Sequence, residues 1–200
     1  SIVKLNNNGV KNATAFGSIT GLGNLVFISR STASSSSSLS ITSGLTSTYK
    51  EYIFFFNNIH PQTHNQKFTF NFSIDGGSNY NVTKTTSAFR AYQPEDASAT
   101  SLSYRTGDDL AQSTDYQGLT GSVGDDNDSS CSGFLHLFSP SDTTFVKHFI
   151  SNVQNMIGNA SSRQDFIAGY GNTTSAINAI DFKFASGNID SGTIDLYGVN

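Results

Sequence analysis

The chain has 200 residues, enough for one substantial domain, and its 11 Lys and Arg against 15 Asp and Glu leave a formal net charge of -4. Only 13% of residues are charged and none cluster as a basic patch, which argues against a nucleic-acid binder. No run approaches the roughly 18 apolar residues of a membrane helix, and 16 Phe with 8 Tyr set the chain apart from disordered sequences.

Residues 1–20 carry a weak apolar alternation (Ile2, Val3, Leu5, Val10, Phe16) and read equally as a docking arm or as a first strand. Residues 21–200 read as one domain. Leu22 to Ile28 is a weak strand. The serines Ser34 to Ser38 run straight into alternating Leu39 and Ile41, so they fit a polar strand start better than a linker. Tyr52 to Phe56 is a continuous apolar run. It predicts a strand covered on both sides, or one whose second face meets another chain, with Phe54, Phe55 and Phe56 as contact residues. Phe68, Phe70, Phe72 and Ile74 alternate with polar residues, the period of a half-buried strand. Asp75-Gly76-Gly77 then predicts a hairpin into Tyr80 to Thr86.

Phe89 to Tyr92 is another weak strand. Pro94 and the acids after it predict a short helix over Glu95 to Leu102, with an extension near Asp108 to Gln112. Gly121 to Ser132 reads as a surface loop. Phe134 to Phe138 and Phe145 to Ile150 read as strands joined by a hairpin at Ser139-Pro140-Ser141-Asp142. Ser162 to Phe166 suits a turn, and Phe166 to Tyr170, Ile180 to Phe184 and Ile194 to Val199 are strands. Strands at this spacing predict an all-β fold: an antiparallel β-sandwich, jelly-roll-like, with short helical turns in its connections.

Chemistry is sparse. Pro61 separates His60 from His64, and His136 and His148 fall on adjacent strands, so hydrogen-bonded strand histidines describe them better than a metal site. Asp125, Asp126 and Asp128 lack the spacing of a calcium loop. Only two Glu exist, Glu51 and Glu95, and nothing marks a pair of carboxylates for acid–base work. The residues point to no catalytic group, cofactor or metal. Cys131 stands alone, which excludes an intramolecular disulfide, and Ser1-Ile2-Val3-Lys4 has no signal-peptide pattern; both suit a reducing cytoplasm. Tyr80, Tyr92, Tyr104 and Tyr116, with Arg90, are the candidates for stacking on a glycan.

Several long strings carry a resemblance: STYKEYIFFFNNIHP (47–61), DGGSNYNVTKTTSAFRAY (75–92), DLAQSTDYQGL (109–119), SGFLHLFSPSDTTFVKHFIS (132–151) and FIAGYGNTTSAINAIDFKFASGNIDSGTIDLYGV (166–199). With the opening SIVKLNNNGVKNATAFGSI (1–19), they resemble small virion structural proteins of tailed phages from marine hosts, including cyanobacteria. The resemblance implies a non-enzymatic protein of the particle exterior, assembled in the host cytoplasm. It is expected to contact other virion proteins, either the major capsid protein or tail proteins, and to self-associate, with a trimer the first expectation. A capsid decoration or cement protein and a tail fibre or lectin-like receptor-binding module both fit it, because a sandwich hosts both tasks.

Overall fold

The computed structural model describes residues 24–200. The N-terminal contact candidates Ile2, Val3, Leu5, Val10 and Phe16 lie outside the described residues. Alternation becomes strand throughout: β1 (Leu25–Thr32), β2 (Leu39–Ile41), β3 (Glu51–Pro61), β4 (Gln66–Ser73), β5 (Lys84–Pro94), β6 (Ser101–Tyr104), β7 (Gln117–Val123), β8 (Cys131–Phe138), β9 (Lys147–Ile157), β10 (Ser161–Gly171), β11 (Ala179–Phe184) and β12 (Ile189–Val199). One antiparallel sheet has eight strands in the order β1-β12-β3-β8-β9-β10-β5-β6, and a second has four, β2-β11-β4-β7. Without the flank β1–β12 and the hairpin β9–β10, β3-β8-β5-β6 faces β2-β11-β4-β7. The remaining chain crosses between layers at every step except β5 to β6, which is the winding of a jelly roll.

Phenylalanine fills the space between the layers. Phe54 and Phe56 of β3 and Phe149 of β9 oppose Phe68, Phe70 and Phe72 of β4 and Phe182 and Phe184 of β11, all buried. Phe182 is the hub, with ring centres 5.5 Å from Phe54, 5.3 Å from Phe56 and 5.9 Å from Phe68. Phe70 reaches Phe149 edge-on at 5.1 Å. These separations are those of favourable aromatic pairs.

Several expectations are corrected. The run Tyr52 to Phe56 alternates after all: Tyr52, Phe54 and Phe56 point into the core, while Ile53 and Phe55 are half-buried on the other face. Phe54 and Phe56 are therefore packing residues with no surface to offer a partner, and Phe55 alone of the three faces outward. The Asp75-Gly76-Gly77 turn is no hairpin. Both glycines have positive φ (73° and 92°), and Asp75 accepts hydrogen bonds from Asn79, but the chain leaves β4 here and joins the other sheet, where β5 pairs with β10 and β6. Helix is absent among the described residues. Ala97, at φ 56°, ends the first turn after Pro94, and Leu102 belongs to β6. Near Asp108 the side-chain ion pairs described below hold an irregular loop. Ser162 to Phe166 lies inside β10, and the loop read at Gly121 to Ser132 is shorter, since Gly121–Val123 ends β7 and Cys131 opens β8. The hairpin at Ser139 to Asp142 does form, joining β8 to β9.

Replacing the hub, Phe182→Ala, is expected to cost about 3–5 kcal/mol in urea denaturation. Phe145→Ser in the turn between β8 and β9, at a side chain 69% exposed, should change stability by no more than about 0.5 kcal/mol.

Candidate functional site

Strand parity sends a second set of apolar side chains to the outer face of the eight-stranded sheet, which no other layer covers among the described residues. Cross-strand register lines them up in rows. The first row runs Phe55, Phe134, Asn152, Phe166, Phe89 and Tyr104, one residue from each of β3, β8, β9, β10, β5 and β6. Phe89 and Phe166 stack with ring centres 4.7 Å apart and planes 7° from parallel. The neighbouring row runs Phe27, Tyr197, Ile53, His136, Ile150, Ala168 and Ser87. Tyr197 packs edge-on against both Phe27 and Phe55, at 5.5 and 5.6 Å. Where this row narrows to Ala168 and Ser87, the face dips into a depression of about 590 Å³, bounded by Phe138, His148, Ile150 and Tyr170. Ionisable groups are few on this face. Arg30 holds Asp195 through two 2.6 Å hydrogen bonds, which keep that carboxyl below the usual range, and Glu51 lies 3.0 Å from His136.

Inside the sandwich, a charged cluster lies where β7 and the loop after β6 meet β10. Asp108 accepts from Lys67 at 2.5 Å, Arg105 at 3.0 Å and Arg163 at 3.2 Å. Arg163 also donates to Asp165 at 2.6 Å, and Asp165 accepts from the Gly121 amide at 3.0 Å. A Cβ at Gly121 would overlap the Arg163 guanidinium, so a larger residue there would have to push that group out of its place beside Asp165. Burial alone would raise the Asp108 carboxyl, but the hydrogen bonds from Lys67 and Arg105 outweigh it and hold the group below its ordinary value. Burial keeps Asp165 above its ordinary value despite Arg163. No sequence motif announced this cluster; its one signal is the spacing of Arg163, Asp165 and Ile167, which places two charges on an inward-facing parity.

The tyrosines do not converge. Tyr116 donates to Asp181 at 3.0 Å beneath Lys183, whose ammonium sits 4.0 Å from the ring centre. Tyr116 and Lys183 line a groove of about 310 Å³ with Lys67, Asp108 and Asp109, and Tyr104 donates to Asp109 at 2.8 Å from beside it. Tyr92 carries the Arg90 guanidinium over its ring at 5.3 Å, and Tyr80 buries its hydroxyl near Gly77; neither tyrosine lines the groove, nor does Arg90. His60 meets the Ser129 carbonyl at 2.6 Å and His64 meets Asp125 at 2.5 Å. Among the described residues no three His, Cys, Asp or Glu side chains are grouped to hold a metal ion. Burial pushes the Cys131 thiol far up. Comparison with protein-family models, with curated proteins and with solved structures finds no match for this chain.

Two lysines are buried without a carboxylate in contact. Lys84 of β5 has no exposed surface, and its ammonium donates to Asn71 Oδ1 of β4 at 2.5 Å and to the Val82 carbonyl at 2.8 Å. Lys147 donates to the Phe145 carbonyl at 2.6 Å. Burial lowers the Lys84 amine from 10.5 to about 7, against a smaller opposing pull from Asp115. Between those values the unfolded chain binds the proton and the folded chain does not, so this group makes stability rise as pH climbs from about 7 to 10.5. Below pH 7 both states are charged and the cost of burying the cation is constant. Lys84→Met leaves Asn71 Oδ1 bonded to the Phe72 amide, so it is expected to flatten that rise without unfolding the protein. Urea midpoints measured across this pH range for both proteins check it.

Proposed function

We propose that the chain is a non-enzymatic structural protein of the exterior of a tailed-phage particle, a head decoration or cement protein that contacts the major capsid protein and copies of itself. The single observation that carries the reading is the outer face of the large sheet. It offers two adjacent rows of aromatic and aliphatic side chains with little charge, a surface suited to burial against protein. The likeness of the strings along nearly the whole chain to phage virion proteins supports the same reading. Two buried carboxylates, Asp108 and Asp165, are engaged in ion pairs, an arrangement that serves packing rather than proton transfer.

A second reading, a tail appendage that binds a host glycan, is favoured by the groove at Tyr116. There an aromatic ring, two ammonium groups and Asp109 line one surface, polar groups of the kind that bond sugar hydroxyls.

Labelled antibody and electron microscopy on purified particles are expected to place the protein on the head lattice in many copies. Absence from particles overturns the structural role; a tail position together with glycan-array binding lost in Tyr116→Ala moves the assignment to the second reading. A chain lacking residues 1–20 is expected to keep its sandwich, by circular dichroism, and to lose incorporation into particles. Normal incorporation would remove the docking role of that segment.

A further inference from the structure

We propose that the outer face of the eight-stranded sheet is covered by the same face of a second copy of this chain, in a two-fold pair. The inference names the partner of the surface on which the proposed assembly role rests. It is read on purified chain, whereas the virion role is read on particles, so each can fail alone.

Three observations select this occupant. The first is charge. Along the two rows the ionisable groups are Arg30 with Asp195, paired to each other at one end, His136 with Glu51 beside it, and the two tyrosine hydroxyls, that of Tyr104 bonded to Asp109 at the other end. A phosphate-rich or acidic partner needs unpaired cations to offset its own charge, and these rows present none. A partner that is itself apolar and nearly neutral fits, and a second copy supplies such a face.

The second observation is size. Eight strands at about 4.8 Å spacing make a sheet roughly 38 Å wide, and the two rows, each about 7 Å deep, take up about 14 Å along the strands. The band is roughly 500 Å² in plan, so two such faces together bury on the order of 1,000 Å², the lower bound for a specific interface.

The third observation is relief. A ridge lies beside a trough: the stacked pair Phe89 and Phe166 stands in the first row, and the adjoining positions in the second row are Ser87 and Ala168, at the depression of about 590 Å³. A two-fold axis lying between the sheets, running across the strands midway between the two rows, carries each row onto the other. It sets Phe89 and Phe166 of one copy over Ser87 and Ala168 of the other, and the reverse. Large side chains then meet small ones twice, which is the self-complementarity an isologous contact demands. Two sheets packed face to face about 10 Å apart are an ordinary way to bury such surfaces.

Sedimentation equilibrium on the full chain tests the proposal. The parent is expected to show the mass of two chains at micromolar concentration. Ala168→Phe fills the trough and makes the face more apolar, yet it should raise the dissociation constant at least tenfold because it removes the space the partner's ring occupies. Phe166→Lys should do the same by burying a charge. Phe145→Lys, in the β8–β9 turn outside the two rows, should leave pairing unchanged. Circular dichroism confirms that each variant is folded. A single-chain mass up to the solubility limit, a three-chain mass, or an Ala168→Phe variant that pairs as tightly as the parent would each overturn the two-fold contact, the last by showing that unspecific apolar adhesion is enough.

Discussion

Ring-to-ring packing between two sheets is the interaction on which the rest of this structure depends. Phe68 lies opposite Phe184 and Phe70 opposite Phe182 across β4 and β11, and these rings meet Phe54, Phe56 and Phe149 from the other layer. Each buried ring contributes about 1.5–3 kcal/mol, which matters in a chain where charges are so few. The same contacts fix register. A slip of one residue along β11 would turn Phe182 and Phe184 outward and bring Asp181 and Lys183 into the core. The groove beside Tyr116 exists because this slip is forbidden: Lys183 and Asp181 point outward together, on the side where Tyr116 reaches them.

The large sheet is wider than the small one, and that mismatch accounts for the ion cluster in the interior. Four strands cannot cover eight. The small sheet ends at β7, and beyond it the loop between β6 and β7 bonds along the edge of β5 and brings Asp108 against Arg163 of β10. A loop brings carbonyls, amides and charged side chains rather than phenylalanine. The inward positions of β5 and β10 change to match: Lys84 and Thr86 on one strand, Arg163 and Asp165 on the other. Thr86 meets Gln117 at 2.6 Å, and Arg163 meets Asp108. The ion cluster is the seam where apolar cover runs out, and its carboxylates are held by that structural duty.

The all-β class and the position of most strands were legible because alternation with period two survives in the one-dimensional string. Phe68 to Phe72 and Ile180 to Phe184 showed which residues form the core before any pairing was known. What alternation cannot show is which strands become neighbours. Gly76 and Gly77 have hairpin chemistry, yet their turn sends the chain to the other sheet, because the open edge of β5 is matched by β10 rather than by β4. The short helix expected after Pro94 failed for a similar reason, since ion pairs to Asp108 and the pairing of Leu102 across from Ala91 outweigh a weak local preference. The continuous apolar run at Tyr52 to Phe56 hid its own parity: five apolar residues in succession look alike, and only pairing with β8 and β12 separates core from outer face. The candidate surface was half visible. Phe55 was singled out, but Phe134, Phe166 and Phe89 join it only through cross-strand register.

That register also explains why the outer face differs from the core while using the same residue types. In the core, rings of two layers interlock and no solvent remains. On the outer face, rings touch only their neighbours within one layer, so Phe27, Phe89 and Tyr104 stay 52%, 43% and 55% exposed. Apolar area left in water is a standing source of free energy for association. The hairpin β9–β10 and the flank β1–β12 are what make that area large, since they add four strands to a jelly roll whose opposite sheet stays at four. Those additions contribute Phe27, Tyr197, Ile150, Phe166 and Ala168 to the uncovered face. The strands in excess of the basic winding therefore serve both faces at once: by parity the same strands give Phe149, Val153, Ile194 and Leu196 to the core and widen the apolar area that the four-stranded layer leaves uncovered on the other side.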